Sequence, residues 1–390
     1  MSLKTLIRSY CPNIPFLRRS MSAAKVHSLK AIQLPEEQIG KAENSEAEKA
    51  RAVASLRERW SAQYDKVVGM AQEHYARAGR ILDDDELQDI LFCFFAYGFN
   101  PDEYLSYGLK AANREERLSY ISSRDTSIIV YSLNDIVNID LFYDKWKTYE
   151  RFAEYYQRSA MLIDKESDYA AFSQFVQSYP RFVKKEVRLS KGQSVALVDA
   201  SETNDHSALF AELLEGGRTI LEEPIIQSDS MSKLNETSVN TVRCITLKTN
   251  EDVEVLYTFL KVGRKGSFVD NGGAGGLLVG IDKETGMLIT DARDEFANAY
   301  PSHPDHGYDF KGLKLPEWDG LIELTKSISA GISGVSYIGW DFAHTEHGWI
   351  VVEGNGGSQL IGPQIVFQEG IKQHFLDVAE SAEAVIPLVL

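Results

Sequence analysis

Long hydrophobic runs, frequent cysteines and an excess of basic residues are all missing from this sequence of 390 residues. Because no stretch approaches about 18 consecutive apolar residues, a transmembrane helix is not expected. The cysteines, Cys11, Cys93 and Cys244, are few and widely spaced, which gives no zinc signature and suits a reducing compartment. Acidic residues outnumber basic ones by 57 to 41, which argues against a nucleic-acid partner, because such binding needs a basic surface. These absences favour a cytoplasmic protein.

The positive charge that is present is concentrated at the start of the chain. Residues 1–35 hold six basic side chains and no acidic one, so, with a net charge of −16, the other 355 residues carry −22. Three interpretations of this start stay open: a flexible arm, a transit-type leader and a peripheral membrane contact with anionic lipid. Pro12 and Asn13 interrupt a helix, which favours the arm. The polar residues 36–47 read as a linker, so we predict a basic arm and linker over residues 1–47.

Hydrophobic periodicity predicts a helical region over residues 48–125. An apolar stripe at spacings of three and four indicates one long helix from Val53 to Ala78, and Asp83 is the candidate N-cap of the next helix. Beyond these helices we predict an α+β catalytic region over residues 126–390, with Ser127–Tyr131 as its first strand. The later stretches with strand patterns are Phe182–Val187, Ser194–Asp199, Arg218–Glu222, Thr241–Leu247, Val253–Val262, Leu277–Asp282, Met287–Ala292, Tyr337–Phe342 and Trp349–Glu353.

The most informative stretch is a predicted β-hairpin over residues 337–355, in which two apolar runs flank a polar turn. Asp341 and Glu353 interrupt these runs, come opposite each other and can point the same way by strand parity. Asn355 lies two residues beyond Glu353, on the same side if the strand continues. Two carboxylates and an amide oxygen on one sheet face suit Mg²⁺ that bridges nucleotide phosphates. The alternative is a pair of solvent-facing acids on an edge strand, but the flanking residues are apolar.

Three further pieces carry weaker signals. Lys184 and Lys185 lie near the end of an apolar strand and either project toward phosphates or form a solvated pair, with Gly192 in a candidate lid. Arg243, in a strand pattern, suits phosphate or carboxylate, with a surface ion pair as the alternative. The glycine-rich loop over residues 263–276 allows its backbone to approach a ligand closely, but it is neither a dinucleotide fingerprint nor a P-loop.

Seven short motifs, taken in order along the chain, resemble those of the ATP-grasp superfamily. They are Asp144-Lys145, Phe182-Val183-Lys184, Leu221-Glu222-Glu223, Asn240-Thr241-Val242-Arg243, Val269-Asp270-Asn271, Gly339-Trp340-Asp341 and Glu353-Gly354-Asn355. The last four resemble most closely the branch called sugar-transfer-associated ATP-grasp, which is related to α-L-glutamate ligases. The resemblance covers about residues 85–375. It implies an α+β, two-lobed ATP-grasp fold, with lobes at residues 145–230 and 231–390, preceded by an all-helical N-terminal region.

The resemblance also implies a role for each matching residue. The cofactor-binding set would be Lys145 and Lys184 on the ATP phosphates, Asp229 on the ribose, and Glu222, Glu223 and Ile225 as the hinge against adenine, largely through backbone atoms. The metal set would be Asp341, Glu353 and Asn355, which would hold Mg²⁺, with Mn²⁺ as the alternative. The catalytic set would be Arg243, on the γ-phosphate or acyl-phosphate, Asn240, and Asp270, which with Asn271 would sit near the acceptor. Lys185 stands where the family usually has proline, so the choice between Lys184 and Lys185 stays open.

These roles imply an ADP-forming carboxylate–amine ligase, in which the substrate carboxylate takes the γ-phosphoryl group of ATP and an amine captures the acyl-phosphate. Its partners would be small-molecule or peptide carboxylates and amines, and self-association into a homo-oligomer stays open. One alternative is a scaffold protein of the same fold that binds ATP without catalysis. Another is a metallohydrolase built on His303 and His306 or on His344 and His347, although neither pair has the H-E-x-x-H pattern on a helix. The sequence does not name the substrates.

Overall fold

A computed structural model describes residues 15–388 of the protein, apart from residues 189–194, 204, 265, 271–274, 383–385 and 387. Its first part is helical, and the rest combines helices with two antiparallel sheets. The helices that precede the first strand are α1 (Pro15–Lys30), α2 (Glu36–Glu43), α3 (Glu46–Arg59), α4 (Ser61–Arg77), α5 (Asp84–Tyr97), α6 (Pro101–Ser106), α7 (Arg114–Ser119), α8 (Ser123–Leu133), α9 (Asp140–Tyr143) and α10 (Lys145–Tyr156). Across the described ranges, no helix is long and apolar enough to cross a membrane.

The helical head, residues 15–133, buries a core of its own around α5. The predicted N-cap is confirmed, since the Asp83 carboxylate accepts a hydrogen bond from the Glu86 backbone N–H at 2.7 Å. Gly98 ends the helix in the left-handed conformation, with φ at 88°. The apolar residues of α5 between these ends face α3, α4 and α6, so the all-helical nature of this region is confirmed.

Three local predictions in the head are wrong. The stretch predicted as a linker contains α2, whose Ile39 and Ala42 are buried in the head core. Helix α1 lies within the region predicted as a basic arm. The long helix is broken at Trp60, whose backbone is not helical, although both halves face the same core. Ser127–Tyr131 lies inside α8, since a capping box at Ser122 starts a helix whose apolar run is buried.

The small lobe contains a four-stranded antiparallel sheet. Its strands are β1 (Ala160–Ile163), β2 (Arg181–Glu186), β3 (Ala196–Asp199) and β4 (Thr219–Glu222), in the spatial order β1-β4-β2-β3. Helices α11 (Tyr169–Ser178) and α12 (His206–Glu215) cover one face, where Phe172, Phe182 and Phe210 form the core with Leu221. The other face stays available for the groups described below. β1, which is only one short apolar run, was not predicted.

The large lobe contains a seven-stranded antiparallel sheet in the order β11-β10-β5-β6-β7-β8-β9. The strands are β5 (Thr241–Lys248), β6 (Val253–Val262), β7 (Leu277–Gly280), β8 (Ala292–Arg293), β9 (Ala299–Tyr300), β10 (Tyr337–Thr345) and β11 (Gly348–Asn355). The accompanying helices are α13 (Asp229–Ser232), α14 (Trp318–Ala330), α15 (Ile361–Phe367) and α16 (Lys372–Ser381). The predicted strand Met287–Ala292 is wrong except at its end, because Met287 and Leu288 make only isolated bridges.

Two buried amide side chains join the head, or the residue that directly follows it, to the large lobe. The Asn134 amide N donates to the Tyr337 and Gly356 carbonyls at 2.8 and 2.7 Å, and its oxygen accepts from the Ser336 and Tyr337 backbone N–H groups at 2.9 Å each. Gln364 of α15 similarly binds both backbone groups of Ile121. Helix α8 runs through the predicted domain boundary at residues 125 and 126, so the head is continuous with the large lobe.

Candidate functional site

The predicted hairpin is formed by β10 and β11, and Asp341 lies directly opposite Glu353, as expected. The Asp341 side chain is only 1% exposed, which excludes the alternative of a solvent-facing acid at this position. Glu353 is half-buried, and its Oε1 accepts a hydrogen bond from the Asn355 amide N at 3.1 Å. The hairpin therefore brings two carboxylates and one amide to the same place, at the outer edge of the large sheet.

Two cations, one on β5 and one on β6, lie against the Asp341 carboxylate. Arg243, its register partner on β5, donates from Nε and from one terminal nitrogen at 2.5 and 2.7 Å. Lys261, on β6, places Nζ 3.0 Å from Oδ2 of the same carboxylate. Burial alone would raise the pKa of Asp341, but the charges of Arg243 and Lys261 outweigh it and hold that pKa well below its usual range. Lys261 was not among the predicted site residues. The sequence signal that could have indicated it is a single lysine at the otherwise apolar end of β6.

Asp270, in the glycine-rich loop, lies beside this cluster. Its Oδ2 accepts from the backbone N–H and the hydroxyl of Thr241 at 3.0 and 2.5 Å, and Oδ1 lies 3.9 Å from Lys261 Nζ. Burial raises the pKa of Asp270, although Lys261 and Thr241 act against it. The amide nitrogen of Asn240 points the other way and donates to Gln227 and to two backbone carbonyls. Asn271 and the candidate lid at Gly192 lie outside the described residues.

A second charged cluster lies at the end of the small-lobe sheet. The buried Glu222 carboxylate accepts from Lys185 Nζ at 2.9 Å and from Arg158 at 2.7 and 2.9 Å. Burial would raise the pKa of Glu222, but the two cations lower it to about 2. Lys145 Nζ donates to the Glu186 carbonyl at 3.3 Å. Burial lowers the pKa of Lys145; the negative charge of Glu353 acts to raise this pKa, and the positive charge of Lys185 acts to lower it further. Lys145 is therefore within electrostatic reach of both charged clusters.

Strand alternation separates Lys184 from these groups. Lys184 pairs with Leu221 and shares its face of β2 with Phe182, which belongs to the core beneath the helices. Lys185 lies on the opposite face and reaches Glu222. The structure therefore brings Lys145 and Lys185 together and leaves Lys184 apart from them.

The predicted hinge follows β4 directly. The Glu223 backbone N–H donates to the Ser159 carbonyl at 2.9 Å, and its carboxylate accepts from the Ser159 N–H at 3.0 Å. The Glu222 side chain is turned toward Lys185 and Arg158, and its backbone lies between β1 and β2. The hinge role of Glu222, Glu223 and Ile225 stays a prediction. Asp229 has an exposed side chain, and its backbone N–H donates to Glu346 in the turn of the hairpin at 3.2 Å.

Of the four histidines predicted for the alternative hydrolase, His347 is exposed, whereas the other three contact neighbouring protein groups. His303 Nε2 lies 3.0 Å from the Gly263 carbonyl, and its ring stacks on His306. His344 Nδ1 lies 2.8 Å from the Ser228 hydroxyl. Within the described ranges, no three His, Cys, Asp or Glu side chains converge as a metal-binding group. The site at Asp341 and Glu353 has two carboxylates and an amide instead, which is a hard oxygen set.

Comparison with known families matches a model described as sugar-transfer associated ATP-grasp over residues 129–380, more than half of the chain. The chain belongs to this ATP-grasp family. The resemblance of its motifs is thereby confirmed, and so is the fold class, a two-lobed ATP-grasp fold with a helical N-terminal region. A search of curated proteins found no match.

Several solved structures are distantly similar to the ATP-grasp chain. D-alanyl-alanine synthetase A from Vibrio cholerae has 10% identity and a TM-score of 0.41, over 63% of this chain and 67% of that one. Phosphoribosylamine–glycine ligase from Thermotoga maritima has 12% identity and a TM-score of 0.42, over 67% of this chain and 60% of that one. N5-carboxyaminoimidazole synthase from Aspergillus clavatus has 12% identity and a TM-score of 0.39, over 66% and 55%. The chain thus spans about two thirds of these proteins or less.

Proposed function

We propose that this ATP-grasp protein is an ATP- and Mg²⁺-dependent ligase that joins a carboxylate to an amine through an acyl-phosphate and releases ADP and phosphate. One observation carries the proposal: Lys145 lies within electrostatic reach of both Lys185 in the small lobe and Glu353, which stands opposite Asp341 in the large lobe. Cations for phosphate and carboxylates for a divalent metal are the two halves of a phosphoryl-transfer site. A substrate phosphate chain laid between them would contact both.

The donors at the hairpin fit Mg²⁺. This metal prefers hard oxygen ligands and is usually held by one or two carboxylates together with substrate phosphates. Asp341 and Glu353 would supply these carboxylates and Asn355 an amide oxygen. The low pKa of Asp341 keeps this group ionised at neutral pH, which metal binding requires. When bound, Mg²⁺ would neutralise charge on the phosphates.

The chain's own residues account for the remaining steps. The substrate carboxylate would attack the γ-phosphorus, the bond from this phosphorus to the β,γ-bridging oxygen would break, and ADP would leave. Lys145 and Lys185 would hold the phosphates, while Arg243 and Lys261 would stabilise charge on the transferred group. The amine would then attack the acyl carbon, lose a proton and displace inorganic phosphate. Asp270, whose pKa is raised by burial, is our candidate for the group that faces this amine.

An ADP-release screen over pairs of carboxylates and amines, with mass detection of the condensed product, tests the proposal. Glu353→Gln keeps the shape of the side chain but weakens the metal site, so we expect ADP release to fall by a factor of about 100 or more. Glu254→Gln, an exposed position on β6, is the matched control and should behave as wild type. Full turnover in Glu353→Gln would contradict the metal assignment. ATP binding without ADP release across the whole panel would favour the scaffold alternative.

A further inference from the structure

Arg158 is a buried arginine that no motif of the sequence singled out. It follows α10, and its side chain is 3% exposed. Its Nε and one terminal nitrogen donate to Glu222, at 2.9 and 2.7 Å. Its terminal nitrogens also donate to the carbonyls of Val351 at 2.6 Å, Val352 at 3.2 Å and Tyr156 at 3.4 Å. The guanidinium has five N–H groups, so each has an acceptor.

The two ends of this contact belong to different lobes. Glu222 ends β4 in the small lobe and binds Lys185, whereas Val351 and Val352 lie on β11 in the large lobe, directly before Glu353. The β10–β11 register shifts here, since Asp341 pairs with Glu353 but Phe342 pairs with Val351, which leaves Val352 as an extra residue. Such a bulge redirects neighbouring side chains and frees backbone groups. The two successive carbonyls freed at this edge strand are both taken by Arg158.

We propose that Arg158 is a positioning residue that couples the nucleotide half of the site to the metal half. Through Glu222 it holds Lys185, and through the bulge it holds Glu353. A planar fork with five fixed donors can make both contacts at once, whereas a lysine ammonium, with three donors on a flexible stem, cannot match this geometry. The inference rests on the proposed function only in taking the two ligands to be a nucleotide and a divalent cation.

The test measures ADP affinity by calorimetry with and without Mn²⁺, so that no turnover is needed. The ratio of the two dissociation constants is the coupling factor, because linkage makes each ligand change the other's affinity equally. We compare wild type with Arg158→Met, Arg158→Lys and, as the matched control, Arg151→Met, an exposed arginine on α10. In Arg158→Met the coupling factor should fall about tenfold, in Arg158→Lys it should fall partly, and the control should keep the wild-type value.

Three results separate this inference from the proposed function. A wild-type protein that binds no ADP, with or without Mn²⁺, overturns the proposed function and the inference with it. If wild type shows coupling and a folded Arg158→Met protein keeps the same factor, with ADP affinity weakened equally in both conditions or unchanged, the inference alone is overturned. If Arg158→Met does not fold, Arg158→Lys decides, because it keeps the buried charge: a wild-type coupling factor in that variant overturns the inference.

Discussion

Replacing Lys185 by alanine tests which of two adjacent lysines serves the nucleotide. The Lys185 ammonium lies 2.9 Å from the buried Glu222 carboxylate, on the face of β2 that looks toward Lys145. Lys184 lies on the opposite face with Phe182. Since the residues are neighbours in the chain, Lys184→Ala is a control of the same size, charge and strand.

The structure sets the size of the expected effect. The Lys185 side chain is 13% exposed and that of Glu222 6%, so screening by water is weak. A hydrogen bond between charged groups contributes about 2 kcal/mol, which corresponds to roughly 30-fold in a dissociation constant. We therefore expect Lys185→Ala to bind ADP about 30-fold more weakly and Lys184→Ala to bind within about threefold of wild type. Glu222 keeps its bonds to Arg158, so Lys185→Ala should still fold.

Calorimetric titration of ADP in the presence of Mg²⁺ gives both affinities, and urea unfolding checks that the variants are folded. The reasoning is refuted if Lys184→Ala loses as much affinity as Lys185→Ala, or more. Such a result would mean that β2 rotates about its own axis when the nucleotide binds, or that the phosphates approach the sheet from the face covered by helices.

Two further predictions concern stability. The pKa of Glu222 falls from 4.5 to about 2 on folding, so its ionised form contributes about 3 kcal/mol above pH 4.5, and this contribution is lost as the pH falls through about 2. As the pH is lowered from 4.5 to about 2, the unfolding free energy of wild type should therefore fall more steeply than that of Glu222→Gln. Unfolding free energies measured by urea titration at several pH values check this, and an equal dependence on pH in the two proteins would contradict the assignment. Asn134→Ala should lower the unfolding free energy by about 3 kcal/mol or more, because it leaves buried backbone groups of β10 unpaired. Asn134→Asp should lower the unfolding free energy at least as much, because a buried carboxylate would face the Tyr337 and Gly356 carbonyls at hydrogen-bond distance.

Much of the sheet structure could be predicted from the sequence because apolar alternation is strong in long strands. The hairpin of residues 337–355 is the clearest case, since two apolar runs flank a polar turn and the pairing of Asp341 with Glu353 follows by counting. The prediction of a strand at Ser127–Tyr131 was wrong for the opposite reason. A short β-branched run is compatible with either a strand or a helix, and the capping box at Ser122 starts a helix here. The break in the predicted long helix at Trp60 depends on backbone angles that hydrophobic periodicity does not reveal.

The site was predictable where a residue stands out from its strand and not where it depends on tertiary contacts. Lys261 interrupts an apolar strand end, and Phe182, two residues before Lys184, already marks the core face of β2, so both signals were present in the sequence. Arg158 has no such signal. Its role depends on a bulge in β11 some 190 residues later, which only the folded pairing creates.

These contacts show that the net negative charge of the protein does not describe the local charge of the candidate site. Although the chain is acidic overall, four cations lie at its candidate site, and each of the four is paired with a buried carboxylate. Lys185 and Arg158 share Glu222, while Arg243 and Lys261 share Asp341. A buried charge without a partner would be costly, and the pairing offsets that cost before any ligand arrives. On the proposed function, a nucleotide with its metal would enter an already balanced set of charges, in which phosphate would take over cations from carboxylates and the metal would take over carboxylates from cations. Such an exchange would make each ligand favour the binding of the other.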